Sequence, residues 1–279
     1  MTRKLVVTAD DLGIGPATNE AIVDLMERGT VTSSTLMAVA PGAPDAVERV
    51  RRAGLADPRL HVTLTSAREL APWRPLAADV PTLTDTDGLF HVDLARFESA
   101  ASPDEVGREM TAQLGWMADA GLRPAALDSH SGSLYSHRGG QLLDTALRFC
   151  AENSLGFRLP RTLPRLLDIA VRGPVRRRYD EAVATAGAYG VRLPETIIGA
   201  VLPGRLLTGY AHLRWTVLRQ LRSLPDGVSE LIMHPAPAAA ARRLDRAEGR
   251  KRMWELQLLQ DPLFLRTLRS ERIQLVPAW

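Results

Sequence analysis

A chain of 279 residues, 45% hydrophobic and carrying one cysteine, can bury the core of one large α/β domain or two small ones, and cannot build an intrachain disulfide framework. Its formal charge is +3 and its basic residues are nearly all arginine, Lys4 and Lys251 being the only lysines; the basic clusters at 172–178 and 242–252 hold no aromatic residue for base stacking, so no nucleic-acid partner is expected. No apolar run approaches the roughly 18 residues of a membrane span, and Thr2-Arg3-Lys4 leads straight into a strand pattern without a leader-type apolar segment, so the expectation is a soluble, cytoplasmic protein.

Residues 4–9 form an apolar run of strand character that stops on Asp10-Asp11-Leu12-Gly13. Two adjacent acids at the end of a buried strand repel each other; such a pair holds a cation, tunes a pKa, or both. Pro16 suits a first helical turn. Ala21, Ile22, Leu25 and Met26 share one face of a helix over about 16–28, which Gly29 ends. Gly13-Ile14-Gly15 is half of a dinucleotide fingerprint, and without the third glycine it predicts no nucleotide cofactor.

A second strand follows at 34–40, a helix at 43–53 and a third strand at 60–64 around His61. Residues 66–101 hold Pro72, Pro75, Pro81 and the turn Asp85-Thr86-Asp87-Gly88. So long an irregular insertion in a regular alternation reads as a lid or a substrate wall. A helix at 103–120 starts behind the cap-like Ser102-Pro103-Asp104-Glu105. Then come a short strand at 125–127 ending in Asp128-Ser129-His130, a helix at 138–152, and a strand at 156–159. Cys150 lies in that helical pattern without activating neighbours and reads as packed. The pattern is helical over 164–195, broken at Gly173-Pro174. A strand at 196–201, a helix at 209–223, a strand at 229–233 ending in His234-Pro235, a helix at 250–270 and a strand at 272–276 close the chain.

This alternation predicts a single α/β domain over 1–279, built as a parallel sheet or barrel with helices outside. In such folds chemistry sits at the carboxyl ends of the strands, where Asp10, Asp11, His61, Asp128, His130 and His234 all fall. Asp11, His61 and His130 are the candidate ligands of one divalent ion with a position left for water; Asp10 is the candidate base and His234 the candidate acid. Asp128 reads as an outer partner that orients a ligand imidazole, or as a fourth ligand. Each residue has a structural alternative: Asp10 as a helix cap, His61 as a core histidine, His130 in a polar turn, His234 as a strand terminator. His91, His137 and His212 read as non-ligands. Two imidazoles and a carboxylate put zinc first, with magnesium, manganese, cobalt and nickel left open.

Thr8-Ala9-Asp10-Asp11-Leu12-Gly13 resembles the opening signature of the YdjC-like carbohydrate deacetylases. The similarity continues through Asn19, residues 29–35, His61-Val62-Thr63-Leu64-Thr65, Leu127-Asp128-Ser129-His130 and Met233-His234-Pro235-Ala236, in order over most of 4–236. The resemblance implies an irregular (β/α) barrel related to polysaccharide deacetylase barrels. It implies removal of an N-acetyl group from an amino sugar or its glycoside, giving acetate and a free amine. By position, Asp11, His61 and His130 match the metal ligands, Asp10 the base and His234 the acid. Arg158 matches a basic position that orients Asp10 or binds substrate. Family members acting on chitooligosaccharides carry further histidines after the Asp-Ser-His; here the run is Ser131-Gly132-Ser133-Leu134-Tyr135, which keeps the three-ligand set and departs from the chitooligosaccharide pattern. The partner expected is a small N-acetylated sugar or glycoside, and a homodimer is compatible with it. Two rivals share the scaffold: an amidohydrolase for a non-sugar amide, and a catalytically silent sugar binder. A receiver-type signalling module would need an aspartate where His61 stands.

Overall fold

The apolar runs of the sequence become one parallel sheet in the computed structural model, which describes residues 2–66, 72–135, 141–164, 168–169, 171–199 and 203–279. Its strands are β1 (Arg3–Leu12), β2 (Ser33–Leu36), β3 (Arg59–Val62), β4 (Ala126–Ser129), β5 (Gly156–Phe157), β6 (Ile197–Gly199), β7 (Gly227–Met233) and β8 (Gln274–Leu275). They lie in the order β5-β4-β3-β2-β1-β7-β6, with β8 added beside β1. Between β5 and β6 no ladder forms among the described residues. Backbone bonds span that seam instead: Phe157 N–H to the Arg192 carbonyl, Arg161 to Pro194 and Thr162 to Glu195, each 2.9 Å. The expected irregular barrel is therefore present as a curled parallel sheet, open at the ladder between β5 and β6.

The helices described are α1 (Pro16–Glu27), α2 (Ala43–Arg52), α3 (Leu94–Ala100), α4 (Pro103–Asp119), α5 (Gln141–Glu152), α6 (Gly173–Ala188), α7 (Tyr210–Arg222), α8 (Ala238–Ala241), α9 (Arg246–Leu259) and α10 (Pro262–Ser270). Strand alternation sorts β1 into two faces. Leu5, Val7 and Ala9 join the apolar core with Leu36, Leu60, Leu127, Leu25, Val50, Met110 and Leu213. Thr8 and Asp10 face the barrel interior, where the partners are charged. None of the helices among the described residues is long and apolar enough to cross a membrane.

The strands expected at 34–40 and 156–159 end early, at Leu36 and Phe157, and three further elements differ from the sequence expectation. The single helix expected at 250–270 is two, because Asp261 accepts a hydrogen bond from Leu263 N–H at 2.8 Å and Pro262 opens the next helix. Ser102, expected as a cap of α4, makes no side-chain cap bond. The stretch at 66–101 is not wholly irregular: it contains a 3-10 turn at Pro81–Leu83 and helix α3, whose Asp93 cap accepts from Ala95 N–H and Arg96 N–H. Buried Glu109 of α4 anchors this stretch by accepting from the N–H groups of Leu76 and Ala77 at 3.1 and 2.8 Å. Residues 67–71 and 136–140, the latter including the expected start of α5, lie outside the described residues.

Candidate active site

The acid pair owes its geometry to a bulge. Thr8 and Ala9 pair with Ser33 and Ser34, but Leu12 pairs with Leu36, so β1 spends three residues where β2 spends two. Asp11 takes the extra place with φ +68°, a left-handed conformation that aspartate tolerates better than most residues. In a regular strand two neighbours point to opposite faces; here both carboxylates are buried in the same site. Gly13 follows at φ +97°, and its N–H is fixed by Asn19 Oδ1 at 2.7 Å. Asn19 also donates to the Gly42 carbonyl and to Asp45, tying the turn to α2.

Asp11, His61 and His130 converge, with one potential ligand atom from each within 4.8 Å of the others. Asp11 Oδ1 stands 3.3 Å from His61 Nε2 and 3.5 Å from His130 Nδ1, yet it receives no hydrogen bond. The two imidazoles meet edge to face, ring centres 5.3 Å apart. Donor atoms that face one point rather than each other are the signature of a cation site. His130 Nε2 is also buried without a partner. Arg252 of α9 reaches Asp11 Oδ2 at 2.5 Å. Burial would raise the Asp11 pKa, but Arg252 and the two imidazoles hold it well below the usual carboxylate range.

Asp128 lies behind His61, its Oδ1 2.7 Å from Nδ1. A carboxylate there accepts, so Nδ1 keeps its proton, and Nε2, on the side of Asp11, is the nitrogen that must give up its proton to bind a cation. Against the cost of burial, Asp128, Asp11 and Asp10 push the His61 pKa up to about 10 in the metal-free protein. Asp10, His61 and Asp128 form a second grouping of donor atoms, but Arg158 already neutralises both of its carboxylates, which makes it the poorer cation site.

Arg158, just beyond β5, grips Asp10 with two nitrogens, at 2.7 and 2.8 Å. Thr35 Oγ1 donates to Asp10 Oδ1 at 2.9 Å. Burial alone would raise the Asp10 pKa; Arg158, with His61 and His234, lowers it on balance. The same guanidinium contacts Asp128 and Glu230. Arg158 is only 5% exposed, and its guanidinium is turned to Asp10, Asp128 and Glu230.

His234 follows β7 with 34% of its side chain exposed, and its Nε2 is 3.8 Å from Asp10 Oδ2. Its backbone N–H donates to buried Glu255 Oε2 at 2.8 Å. Burial, opposed by Asp11 and Asp10, pushes its pKa down to about 4. A groove of about 280 Å³ opens beside Arg252 and Ala236, lined mainly by apolar side chains such as Ile14, Pro16 and Leu244. Trp73, from the 66–101 stretch, is 6.4 Å from the His130 ring, centre to centre. His91 and His212 lie outside the cluster, and His137 falls outside the described residues.

Arg252, Glu230 and Glu255 escaped sequence reasoning. Glu230 left one signal, a lone acid inside the apolar strand Ser229-Glu230-Leu231-Ile232. Arg252 and Glu255 left none, being two charges among many on α9.

The model of the YdjC-like protein family matches residues 4–270. A carbohydrate deacetylase of Brevibacillus brevis is 29% identical over 273 residues, covering 98% of this chain and 97% of its own length. A carbohydrate deacetylase of Halalkalibacterium halodurans is 28% identical, covering 84% and 85%. Among solved structures, an Enterococcus faecalis V583 protein named for cellobiose-phosphate cleavage superposes with TM-score 0.78 at 25% identity, covering 99% of this chain and 97% of its own. A peptidoglycan N-acetylglucosamine deacetylase shares the fold at TM-score 0.50 and 12% identity, over 99% of this chain and 86% of that one. With its barrel, its bulged acid pair and a family match over nearly its whole length, this chain belongs to the YdjC-like family.

Proposed function

We propose that the protein is a metal-dependent hydrolase that removes the N-acetyl group of an amino sugar or an amino-sugar glycoside. The observation that carries this reading is Asp11 Oδ1, a buried carboxylate oxygen without a hydrogen bond that faces two imidazole nitrogens. Asp11, His61 and His130 would hold a divalent ion, and their mixed nitrogen and oxygen set favours zinc. Such an ion, when bound, acidifies a water and polarises an amide carbonyl.

The chain's own residues supply the proton path. Arg158 and Thr35 keep Asp10 ionised and aimed into the site, so it is ready to take the proton of an attacking water. The same clamp weakens its hold on that proton, which suits a base that must hand it on. His234 starts neutral, with Nε2 next to Asp10. It can carry that proton to the departing amine nitrogen, and its partial exposure gives a substrate access to it. The two relatives named carbohydrate deacetylases support a sugar over a non-sugar amide.

The test combines metal analysis with acetate release over a panel of N-acetylated sugars and glycosides. Wild-type protein should bind about one divalent ion and release acetate from at least one member, while Asp11→Ala loses both. Metal-loaded protein that releases no acetate from any sugar would refute the reading in favour of a non-sugar amidase or a silent binder.

A further inference from the structure

We propose that Glu230 and Trp279 are positioning residues that act on Asp10 through Arg158. The proposal rests on the role given to Asp10 above. Glu230 is completely buried in β7, and its two oxygens divide their work. Oε1 accepts from Thr8 Oγ1 at 2.6 Å, Arg59 Nη1 at 2.8 Å, Arg158 Nη2 at 3.0 Å and Arg158 Nε at 3.2 Å. Oε2 accepts from the indole N–H of Trp279 at 2.9 Å. The Trp279 ring also covers the Arg59 guanidinium, 4.6 Å from centroid to Cζ. The indole therefore fixes Glu230 directly and through Arg59.

From Glu230 the contacts run straight to the chemistry. Arg158 uses Nε and Nη2 on Glu230 and both terminal nitrogens on Asp10. A planar guanidinium held on two sides cannot turn without breaking one set. The last torsion of a glutamate is soft, so Oε1 needs Oε2 to be tied, and the indole ties it. Gly156, two residues before Arg158, leaves the space for the ring: a Cβ there would lie 2.5 Å from a Trp279 ring carbon. Stability alone is a weak reason for this arrangement, because replacing buried ion pairs with apolar residues is often neutral or favourable. Alignment of the carboxylate at the other end of Arg158 is a stronger one.

Trp279→Phe keeps the ring and removes the donor; Trp279→His restores a ring N–H. Two readouts apply. In 15N-labelled protein, exchange of the Arg158 Nε–H with solvent should be at least about tenfold faster in Trp279→Phe and partly restored in Trp279→His. On a substrate from the acetate-release panel, Trp279→Phe should lower kcat by about tenfold, the lower end of what loss of an outer hydrogen bond costs, with KM and metal content unchanged. Adding it to Glu230→Gln should cost nothing more. Unchanged exchange at Arg158, unchanged kcat, or a fall in kcat tracked by equal loss of metal and thermal stability would each overturn the proposal. Were wild-type protein to release no acetate at all, the deacetylase reading would fall, while the exchange experiment would still decide whether Trp279 governs Arg158.

Discussion

The sharpest test of the metal site is a residue placed behind it. Asp128→Asn is nearly isosteric and leaves Asp11, His61 and His130 in place. In the wild-type protein Asp128 Oδ1 is 2.7 Å from His61 Nδ1, which keeps a proton on Nδ1 and leaves Nε2, the nitrogen 3.3 Å from Asp11 Oδ1, as the one that gives up its proton to a bound cation. An asparagine can offer its own N–H to Nδ1, and the proton then moves to Nε2, where it blocks ligation. The substitution also removes a negative charge that makes the imidazole a better donor. Losing such an outer partner costs about 10–100-fold in metal affinity, or about 1.4–2.8 kcal/mol at about 1.4 kcal/mol per decade. Metal-stripped protein would be titrated with Zn2+ against a competing chromophoric chelator at fixed pH, with thermal unfolding as a control for folding. Wild-type affinity, within twofold, in folded Asp128→Asn would refute the assigned orientation of His61.

Three further outcomes follow from the same geometry. Asp10→Asn should keep its metal, because Asp10 is committed to Arg158, and lose about 10²–10⁴-fold in acetate release, the usual range for an acid–base group; equal loss of metal would show instead that the Asp10-His61-Asp128 grouping holds the ion. Arg158→Met should destabilise the protein by about 3–5 kcal/mol in denaturant titrations, since it leaves Asp10, Asp128 and Glu230 buried with too little positive charge. In metal-free protein the His234 pKa falls from 6.5 to about 4 on folding, so between those values the unfolded chain binds more protons and stability rises with pH. His234→Gln should flatten that rise when urea midpoints are compared from pH 4 to 7; an unchanged slope would show that folding leaves the imidazole's proton affinity unaltered.

What the sequence makes legible is what its local chemistry spells out. Asp10-Asp11, His61, Asp128, His130 and His234 sit at or near strand ends, and strand ends of a parallel barrel share one rim. The bulge is not legible, because nothing in Ala9-Asp10-Asp11-Leu12 states that Asp11 takes φ +68°; the pair announces repulsion, while the register shift that aims both acids inward arises from pairing with β2. Glu230 is harder still. Alternation allows it to face solvent, and it faces inward only because Arg59, Arg158 and Trp279, from distant parts of the chain, create a polar interior. Helix α3 was within reach, since Asp93 stands before Leu94 as a good cap, but the surrounding prolines masked its short period. Arg252 reaches Asp11 across 241 residues, a distance over which no motif speaks.

The interior charges themselves argue for a cation. Asp10, Asp11, Asp128 and Glu230 are four buried carboxylates, and Arg59, Arg158 and Arg252 are the guanidiniums that contact them. Asp10 and Glu230 have both oxygens engaged, and Asp128 divides its two between His61 and Arg158. Asp11 gives one oxygen to Arg252 and keeps the other free of hydrogen bonds. In the metal-free protein the charge on that oxygen is met by the protonated His61 imidazole, and a divalent ion bound there would displace that proton and take over its part. Binding to the folded state alone must then stabilise it, by about 2.7 kcal/mol at a free ion concentration of 100 Kd. Thermal unfolding of metal-stripped wild-type protein should shift upward on adding Zn2+, and Asp11→Asn, which lacks that charge, should show no shift at the same concentration. Equal stabilisation of both proteins would place the ion elsewhere and undo the assignment of Asp11.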